Sequence, residues 1–505
     1  MSENKNSKGQ NTAADQAQDE ATRHRLIEER LRKLAEIREV RNPYPHSYKR
    51  THTHAELREQ EDALTKDETV VRIAGRVMAK RKAGKTMFLP LRDHTGNMQI
   101  YVKKDILGED DFSFFKKLID NGDIIGVEGT LFRTRTEELT LQVTGYELLT
   151  KSLRPLPEKF HDMSLELKSR KRYLDLIMNL ETRDRFRLRS QLLEEIRRTL
   201  LDEEFLEVET PVLQPLYGGA TARPFKTHHN ALDQTLYLRI ADELYLKRLI
   251  VGGFDRVFEF CKDFRNEGMD RTHNPEFTMM ECYAAYWDYH DMMDLTERML
   301  MRLAERFGTD GKITYGEHEL DFSKGFRRLR FLDGIKEETG VDFATLDDDQ
   351  VVAEAKRLGV DLKPGMGRDK ILDEIFGEFV EPKLIQPTFV LDHPVELSPL
   401  AKWHREDEGL VERFEGFIAG FEICNSFSEL NDPQVQRERF MAQMDLKAKG
   451  DEEAQMLDED FLEALETGMP PTGGLGVGLD RLVMLFTNSN SIRDVLLFPA
   501  MRPEE

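Results

Sequence analysis

The stretch FRNEGMDRTHNPEFTMMECY, residues 264–283, decides the fold class of this chain. A polar loop at 266–274 leads into a segment whose side chains alternate as they do in a β-strand. Alternation sends Phe277, Met279, Glu281 and Tyr283 to one side of that strand. A face that carries a carboxylate, a phenol and an aromatic ring predicts one wall of a ligand pocket. A half-buried strand with one paired acid is the plainer alternative.

Two other segments add to this pattern. FLEVETP, residues 205–211, follows a long helical run, and GLGVGLDRL, residues 474–482, lies near the end of the chain. In the second segment Gly474, Gly476 and Gly478 alternate, which in a strand removes every side chain from one face. A ligand can then approach the backbone closely. The run is not a dinucleotide fingerprint, because its last glycine falls at the wrong spacing.

In this order, the three segments resemble motifs 1, 2 and 3 of the class II aminoacyl-tRNA synthetases. PFKTHHN at 224–230 and ELYLK at 243–247 are similar to the lysine enzymes of that class in particular, and the resemblance covers nearly the whole chain after about Arg23. It implies an α+β fold, with an N-terminal OB-fold β-barrel that reads an anticodon and a class II antiparallel sheet flanked by helices. It also implies ATP-dependent activation of lysine, Mg²⁺ as cofactor, transfer of the lysyl group to tRNA(Lys), and a homodimer whose subunits meet at the first motif.

Length and composition are consistent with a multidomain enzyme. With 505 residues, the chain should divide into two or three domains. No stretch approaches the roughly 20 apolar residues of a membrane helix. The polar, acidic start lacks the features of a secretory signal or a transit peptide, which points to the cytoplasm and to no membrane partner. We expect the three cysteines to be core thiols, because they show no pairing or metal-ligand spacing.

The net charge of −22 argues against a protein that coats nucleic acid nonspecifically. Two local basic clusters, at 80–85 and 168–172, remain candidates for RNA contact, with a solvated surface as the alternative for each.

Five short β segments predict a small barrel. They lie at 71–78, 87–92, 98–102, 124–132 and 139–149, with a helix at 112–119 between the third and the fourth. This pattern is typical of an OB-fold, whose strand face binds single-stranded nucleic acid by stacking. Phe88 and Tyr101 are its aromatic candidates, and from pattern alone we place Tyr101 in the barrel core.

The predicted domain organisation follows from these segments. Residues 1–65 hold a disordered start and an amphipathic helix at 23–40, 66–150 the barrel, 151–175 a linker, and 176–505 the catalytic domain. Within the last domain, about 300–387 carries no usable motif and is predicted to be an insertion.

Lysine activation joins the substrate carboxylate to the ATP α-phosphate, so the protein needs no nucleophile of its own. Positioning and charge neutralisation must carry the catalysis. Arginine suits this role, since a guanidinium binds phosphate oxygens bidentately. By resemblance, Arg265 bridges the α-phosphate and the amino-acid carboxylate, and Arg481 holds the γ-phosphate. The other ATP contacts that the resemblance implies are Glu267, His273, Phe277 and Glu415.

Glu415 and Glu422 match the positions that hold magnesium in this family, and Mg²⁺ prefers one or two carboxylates together with substrate phosphates. Strict alternation would put Glu422 opposite Asn425, Phe427 and Glu429, so a bulge or twist is required if all of them face one site.

The terminal ammonium of lysine demands fixed carboxylates in a largely dehydrated pocket. We assign Glu243, Glu281 and Glu429 to this task, since a pocket for aspartate or asparagine would need cationic or amide donors instead. Asp242 stands where the family often has proline, and we expect it to alter local stiffness more than charge. The resemblance implies as lysine-binding residues Gly219, Glu243, Arg265, Glu281, Tyr283, Asn425, Phe427 and Glu429.

For the anticodon, Phe88 matches the family's stacking position, and Gln99 and Glu138 match base-edge contacts. Glu137 replaces a glycine that is common in that turn, which puts the backbone around Glu138 in question.

Two other functions fit parts of the sequence. A lysyl-transferase paralogue that modifies a protein usually lacks the anticodon barrel, which this chain has. A binding protein built on an inactive synthetase would have lost one motif arginine, whereas Arg265 and Arg481 are both present.

Overall fold

The protein was analysed as a computed structural model, which describes residues 13–157, 163–363, 366–448 and 455–504. The predicted disordered start therefore lies outside the described residues as far as residue 12, as do residues 158–162 of the predicted linker and 364–365 of the predicted insertion. The chain forms two compact units. One is Met1–Ser164 with Tyr173–Leu180, and the other is Leu165–Arg172 with Glu181–Glu505.

The first thirteen elements run to residue 178. In chain order they are α1 (Ala13–Arg38), α2 (His54–Glu59), α3 (Glu61–Lys66), β1 (Val71–Val77), β2 (Arg81–Ala83), β3 (Thr86–Arg92), β4 (Asn97–Lys103), α4 (Lys104–Leu107), α5 (Glu109–Leu118), β5 (Ile124–Arg133), β6 (Leu139–Thr150), α6 (Leu165–Arg170) and α7 (Arg172–Met178).

The remaining elements belong to the second unit apart from the first residue of α8. They are α8 (Leu180–Asp202), β7 (Leu206–Glu207), β8 (Leu213–Gln214), β9 (Lys226–His229), β10 (Gln234–Leu238), α9 (Glu243–Val251), β11 (Arg256–Phe264), β12 (Glu276–Ala285), α10 (Tyr289–Phe307), β13 (Lys312–Tyr315), β14 (His318–Asp321), β15 (Arg327–Arg330), α11 (Phe331–Thr339), α12 (Asp348–Leu358), α13 (Arg368–Phe379), β16 (Thr388–Pro394), β17 (Leu410–Ile418), β18 (Phe421–Ser428), α14 (Pro433–Ala448), α15 (Glu459–Gly468), β19 (Thr472–Gly478), α16 (Leu479–Phe486) and α17 (Ile492–Val495).

The first unit contains the predicted OB-fold barrel. Its strands pair in the order β1-β5-β6-β4-β3-β2, and a further pairing of β1 with β3 closes the barrel. All five predicted strands are present, and the predicted helix is α5. Alternating side chains fill the interior, as Met98, Ile100 and Val102 of β4 show, each at most 1% exposed.

The same alternation makes the predicted core position of Tyr101 wrong. Tyr101 lies between the buried residues Ile100 and Val102, so its side chain points to the outer face, where it is half-buried. There it forms a row of three rings, with centroids 4.7 Å from Phe88 and 5.8 Å from Phe132. The barrel therefore presents an aromatic surface outward instead of burying it.

The second unit is built on an eight-stranded sheet in the order β15-β16-β17-β18-β19-β12-β11-β7. The six strands from β16 to β11 pair with one another in antiparallel fashion. The two edge strands pair in parallel, β15 with β16 and β7 with β11. Helices α10 and α16 pack on the sheet through one large apolar core. The predicted antiparallel sheet with flanking helices is confirmed.

The predicted basic clusters are engaged in part in the fold itself. Lys80 Nζ donates to the carbonyl oxygens of Phe115 at 2.9 Å and Ile119 at 2.6 Å. Arg172 is 2% exposed, and its guanidinium donates to the carbonyl oxygens of Arg493 and Leu496. These two side chains donate hydrogen bonds to backbone carbonyl oxygens and do not form a surface for phosphate groups.

All three cysteines are buried thiols, as the sequence predicts. None of the helices in the described ranges is long and apolar enough to cross a membrane.

Candidate active site

A cavity of about 1360 Å³ opens on one face of the eight-stranded sheet. It brings together every residue that the sequence analysis assigned to nucleotide, amino acid or metal. These are Gly219, Glu243, Arg265, Glu267, His273, Phe277, Glu281, Tyr283, Glu415, Glu422, Asn425, Phe427, Glu429 and Arg481.

The register of β12 against β19 creates the floor of this cavity. Met279, Glu281 and Tyr283 lie opposite Gly478, Gly476 and Gly474, respectively. Each of these three side chains therefore faces a residue with no side chain of its own.

Gly474 is the most tightly constrained of the three glycines. A β-carbon added there would overlap Glu429 Oε1 and lie 2.6 Å from a ring carbon of Tyr283. The absence of a side chain at this position is what lets Glu429 and Tyr283 approach one another across β19, from the two sides of that strand.

Glu243 and Glu429 form one end of the cavity together with a residue that the sequence analysis missed. Lys247, on the next turn of α9 from Glu243, is fully buried, and its ammonium is ion-paired with both carboxylates. Burial raises the pKa of Glu243 and of Glu429, while the Lys247 charge opposes the rise at both. The sequence signals for Lys247 were its place in the ELYLK segment, residues 243–247, and its helical spacing of four from Glu243.

Glu281 and Tyr283 lie next along the same wall. The Tyr283 hydroxyl donates to Glu281 Oε2 at 3.0 Å. Burial, together with the charges of Asp242 and Asp263, raises the pKa of Glu281 well above its usual range. A positively charged ligand group would therefore stabilise the ionised form of this carboxyl.

Besides the expected effect on stiffness, Asp242 has an effect on charge. Asp242 precedes α9 but its side chain does not cap that helix, and it is fully buried. Burial, and then the nearby charge of Asp263, raise its pKa to about 7. A proline at this place would carry no ionisable group, so the residue adds a titrating acid to the wall behind Glu281.

The atoms that could bind a metal ion in three buried residues, Asp242, Asp263 and Cys261, lie within 4.8 Å of one another. The spacing of the cysteines in the sequence did not reveal this group. Burial and the surrounding acids raise the pKa of the Cys261 thiol well above its usual range, which makes it a poor metal ligand. Arg239 Nε lies 3.6 Å from Asp263 Oδ1 and already supplies a positive charge there.

The two motif arginines line the cavity in different settings. Arg265 lies over the Phe277 ring, with its guanidinium carbon 5.1 Å from the ring centroid. Arg481 donates to the Glu422 carbonyl oxygen at 2.8 Å and lies 2.9 Å from His273 Nε2. Both present planar, permanently charged groups suited to phosphate oxygens.

The loop between β11 and β12 holds His273 in place through Asp270. His273 Nδ1 lies 2.8 Å from Asp270 Oδ2, and Thr272 also donates its backbone N–H to Asp270 at 2.7 Å. Burial alone would raise the pKa of Asp270, but these hydrogen bonds bring it down to about 2. Glu267, in the same loop, is exposed at the cavity rim.

The bulge that the sequence analysis required is present. The register of β17 with β18 shifts after Gly416, so that Gly416 pairs with Cys424 while Phe417 pairs with Glu422, and Ile423 is the extra residue. This shift puts Glu422 on the cavity side together with Asn425, Phe427 and Glu429.

Glu415 and Glu422 differ in charge environment. Burial alone would raise the pKa of Glu415, but the neighbouring Arg413 and His393 bring it down to about 2. Burial and the negative charge of Glu415 raise the pKa of Glu422. Arg413, which donates to Glu415 and to Asn425 Oδ1, is a second residue that the sequence analysis missed.

Helix α13, inside the predicted insertion, also lines the cavity. It contributes Lys370, Asp373 and Glu374, whose spacing of three and four places them on one helical face. Just beyond the helix, burial and the charges of Glu422 and Glu415 raise the pKa of Glu381 to about 7. Charged residues spaced three and four apart among apolar ones were the signal available in the sequence.

The three predicted anticodon residues lie on or beside adjacent barrel strands. Phe88 is on β3 and Gln99 on β4, where Gln99 donates to Thr140 Oγ1 at 3.0 Å, and Glu138 is exposed just before β6. Glu137 has φ +59°, so it adopts the left-handed conformation that the usual glycine would supply.

Comparison with known proteins bears on both units. The family described as tRNA synthetases class II (D, K and N) matches residues 164–502, and the family described as OB-fold nucleic acid binding domain matches residues 71–149. A lysine–tRNA ligase of Carboxydothermus hydrogenoformans is 53% identical over 483 residues, which cover 95% of this chain and 98% of that protein.

Two further relatives carry the same name. The lysine–tRNA ligase of Halalkalibacterium halodurans is 52% identical over 95% of this chain and 97% of its own length. That of Methanoculleus marisnigri is 52% identical, with 94% of each chain covered.

The buried carboxyl of Asp242 predicts a pH-dependent stability difference. Its pKa of about 7 in the folded protein exceeds the usual value of 3.8. At pH values between these two pKa values, unfolding therefore releases a proton. The free energy of unfolding that the protein loses through this acid grows as the pH rises, until about pH 7. Replacing Asp242→Asn should stabilise the protein by on the order of 2 to 4 kcal/mol at about pH 8, and by clearly less at about pH 5.5.

Thermal melting of both proteins at the two pH values measures this difference. Asp294→Asn on α10 removes the same charge from an exposed position and serves as the control. A gain for Asp242→Asn that is equal at both pH values would contradict the assignment.

Proposed function

The chain belongs to the class II tRNA synthetases of the D, K and N group, and on this premise we propose that it is a lysine–tRNA ligase. It uses ATP to convert lysine to lysyl-adenylate and transfers the lysyl group to the 3′ end of tRNA(Lys). The observation that carries the proposal is the convergence of Glu243, Glu281 and Glu429 in the same cavity as Arg265 and Arg481. The shared name of relatives that match almost the full length supports it.

In the activation step, a carboxylate oxygen of lysine bonds to the α-phosphorus of ATP while the bond from that phosphorus to the bridging oxygen of pyrophosphate breaks. Arg265 bridges the lysine carboxylate and the α-phosphate, which brings two anions together and neutralises the charge that develops between them. Arg481 binds the γ-phosphate, and His273, held by Asp270, lies beside its guanidinium. Phe277 stacks on the adenine ring.

The acids of the cavity select lysine within the D, K and N group. Buried carboxylates that outnumber the cations around them are unfavourable, so the pocket gains stability when an ammonium enters it. Together Glu243, Glu281 and Glu429 bind the ammonium groups of lysine, and the Tyr283 hydroxyl donates to Glu281. Aspartate would add another negative charge to this wall, and asparagine would supply none of the positive charge that it lacks.

Glu415 and Glu422 suit a magnesium ion. Glu415 is held ionised, and its charge raises the pKa of Glu422, so a divalent cation near both would relieve their repulsion. When bound, the ion supplies positive charge to the phosphate oxygens of ATP. Arg413 orients Glu415 and Asn425 for this site.

The barrel reads the anticodon of tRNA(Lys). Phe88 stacks on one base, and Gln99 and Glu138 contact base edges. Tyr101 and Phe132, which continue the row of rings from Phe88, rigidify the stacking side chain.

We extend the proposal to a homodimer in the cytoplasm. Leu206 of the first motif is 46% exposed, and Leu201 and Leu213 near it are 52% and 47% exposed. Apolar side chains clustered on one surface are typical of a subunit interface.

Substrate choice is tested by ATP–pyrophosphate exchange with each standard amino acid. We expect exchange with lysine alone, and Arg265→Ala should lower its kcat by about 10² to 10³, because the developing charge loses its main partner. Arg187→Ala, at an exposed position on α8, is the control and should leave the rate unchanged. Exchange with another amino acid and none with lysine would refute the proposal.

The anticodon role is tested with Phe88→Ala. Loss of stacking should lower kcat/KM for tRNA charging by about ten- to a hundredfold and leave lysine-dependent exchange, which needs no tRNA, unchanged. Phe88→Tyr keeps a stacking ring and should charge tRNA nearly normally. Equal losses of the alanine variant in both reactions would exclude a direct anticodon contact.

The dimer is tested by measuring mass in solution at micromolar concentration. We expect about twice the mass of the chain, and Leu206→Asp combined with Leu213→Asp should halve it, because two charges would be buried without partners. Leu232→Asp, 67% exposed on a loop, is the control. A wild-type protein with the mass of a single chain would disprove the dimer.

A further inference from the structure

The carboxylate of Asp480, directly before Arg481 in α16, joins three elements that are remote in sequence. Asp480 Oδ2 accepts a hydrogen bond from the backbone N–H of Thr278 on β12 at 2.8 Å. Asp480 Oδ1 lies 2.6 Å from Nη1 of Arg189 on α8. The same guanidinium donates from Nη2 to Thr278 Oγ1 at 3.1 Å. Arg189, Thr278 and Asp480 therefore form a closed set of polar contacts, which we call the polar triangle.

The end of β19 explains why Thr278 needs an acceptor from a side chain. The pairing of β12 with β19 ends at Met279 opposite Gly478, and the chain then turns into α16. Thr278 is buried, so its N–H would be left without an acceptor if Asp480 moved away. A buried N–H without a partner costs free energy, and this contact therefore holds the start of α16 against β12.

Arg189 compensates the charge of Asp480. Asp480 is 2% exposed, and a carboxylate so deeply buried is stable only beside a cation. Two nitrogens of the Arg189 guanidinium contact two corners of the polar triangle, so the side chain sets the orientation of the carboxylate as well as its charge balance. An ammonium at this place would keep the charge with less control over orientation, since all its donors are on one atom.

The polar triangle adjoins the two side chains that the proposed function assigns to opposite ends of ATP. Phe277, which stacks on adenine, directly precedes Thr278 in β12. Arg481, which binds the γ-phosphate, directly follows Asp480 in α16. Both side chains line the cavity. The bond between Thr278 and Asp480 therefore fixes how far the adenine contact lies from the phosphate contact.

The residues that bind lysine lie farther along β12. Glu281 and Tyr283 follow Thr278 by three and five residues, which at about 3.4 Å per residue places them roughly 10 and 17 Å away. Both remain paired with glycines of β19 whether or not Asp480 is held in place. A displacement at the polar triangle therefore affects the ATP end of the cavity before the lysine end.

We propose that Arg189 is a positioning residue for ATP. Through Asp480 it holds α16 against β12, and so it sets the distance between Phe277 and Arg481. Arg189 itself does not line the cavity and belongs to none of the three motifs. This inference rests on the proposed lysine–tRNA ligase function and adds to it a residue that shapes the nucleotide end of the same site.

The same helix offers a matched control. Glu195, six residues beyond Arg189 on α8, is 2% exposed and is ion-paired with Arg302 and Arg306 on α10. None of these three residues lines the cavity. Glu195→Gln therefore removes a buried charge from α8 without touching the polar triangle, and it isolates the effect of loosening the helix.

The test measures KM for ATP and KM for lysine separately in lysine-dependent ATP–pyrophosphate exchange. In Arg189→Met, KM for ATP should rise at least about tenfold, because small displacements of binding groups have effects of this size. KM for lysine should stay within about twofold of wild type, since the lysine end is not displaced. Glu195→Gln should leave both constants unchanged. A uniform loss of folded protein would lower the rate without separating the two constants.

Two further variants test how Arg189 acts. Arg189→Lys keeps the charge but not the paired contacts, so its KM for ATP should rise by about two- to fivefold with KM for lysine unchanged. This variant carries the test if the methionine variant does not fold. Arg189→Met combined with Asp480→Asn leaves no uncompensated charge, and the amide oxygen can still accept from Thr278 N–H. Its KM for ATP should therefore be lower than that of Arg189→Met alone.

The outcomes separate the inference from the function on which it rests. A wild-type protein without lysine-dependent exchange refutes the proposed function. If wild type is active and the folded Arg189 variants change both KM values by the same factor, or change neither, Arg189 is structural only and the inference fails. It fails equally if Glu195→Gln raises KM for ATP alone, or if the double variant has a KM for ATP equal to or above that of Arg189→Met.

Discussion

The antiparallel register of β12 against β19 is the constraint on which the rest of the site depends. It sets Met279, Glu281 and Tyr283 opposite three glycines, and it lets Glu429 come close to Tyr283 across Gly474. A shift by one residue would turn all three side chains of β12 away from the cavity, because neighbouring residues of a strand point to opposite faces. The bulge at Ile423 likewise directs a side chain of β18 toward the cavity, since it brings Glu422 to the side on which Asn425 already lies.

Once the register has gathered these acids, their charges must be balanced within a region of low polarity. The fold does this unevenly. Glu415 is held ionised by Arg413 and His393, whereas Glu243, Glu429, Glu281 and Asp242 all have raised pKa values, and the first two of these share one internal ammonium. The uneven balance distinguishes an end suited to phosphate and metal from an end suited to an ammonium. The proposed recognition of lysine follows from the positive charge that would compensate the buried acids of the cavity.

The limits of sequence reasoning appear at particular residues. Every residue assigned to nucleotide, amino acid or metal lines one cavity, because each belonged to a motif whose spacing reflects local strand and loop geometry. Lys247 and Arg413 were missed, since Lys247 pairs with Glu429, which lies outside its own helix, and Arg413 donates a hydrogen bond to Asn425 on the neighbouring strand. Helix α13 was missed because the predicted insertion that contains it carries no motif that points to the cavity. Tyr101 was placed in the barrel core from pattern alone, whereas its position between the buried residues Ile100 and Val102 directs its side chain to the outer face.

The sequence by itself predicted the five-stranded barrel, because periodicity and turns are local properties of a chain, and its short motifs, through their resemblance to a known family, implied the α+β fold class, the antiparallel sheet and the site residues. Only the tertiary structure decided which acids share a cation, where the strand bulges, and that Asp242 is a buried acid with a pKa of about 7. The physical reason is that burial and electrostatic pairing depend on distances between atoms remote in sequence, and strand register fixes those distances.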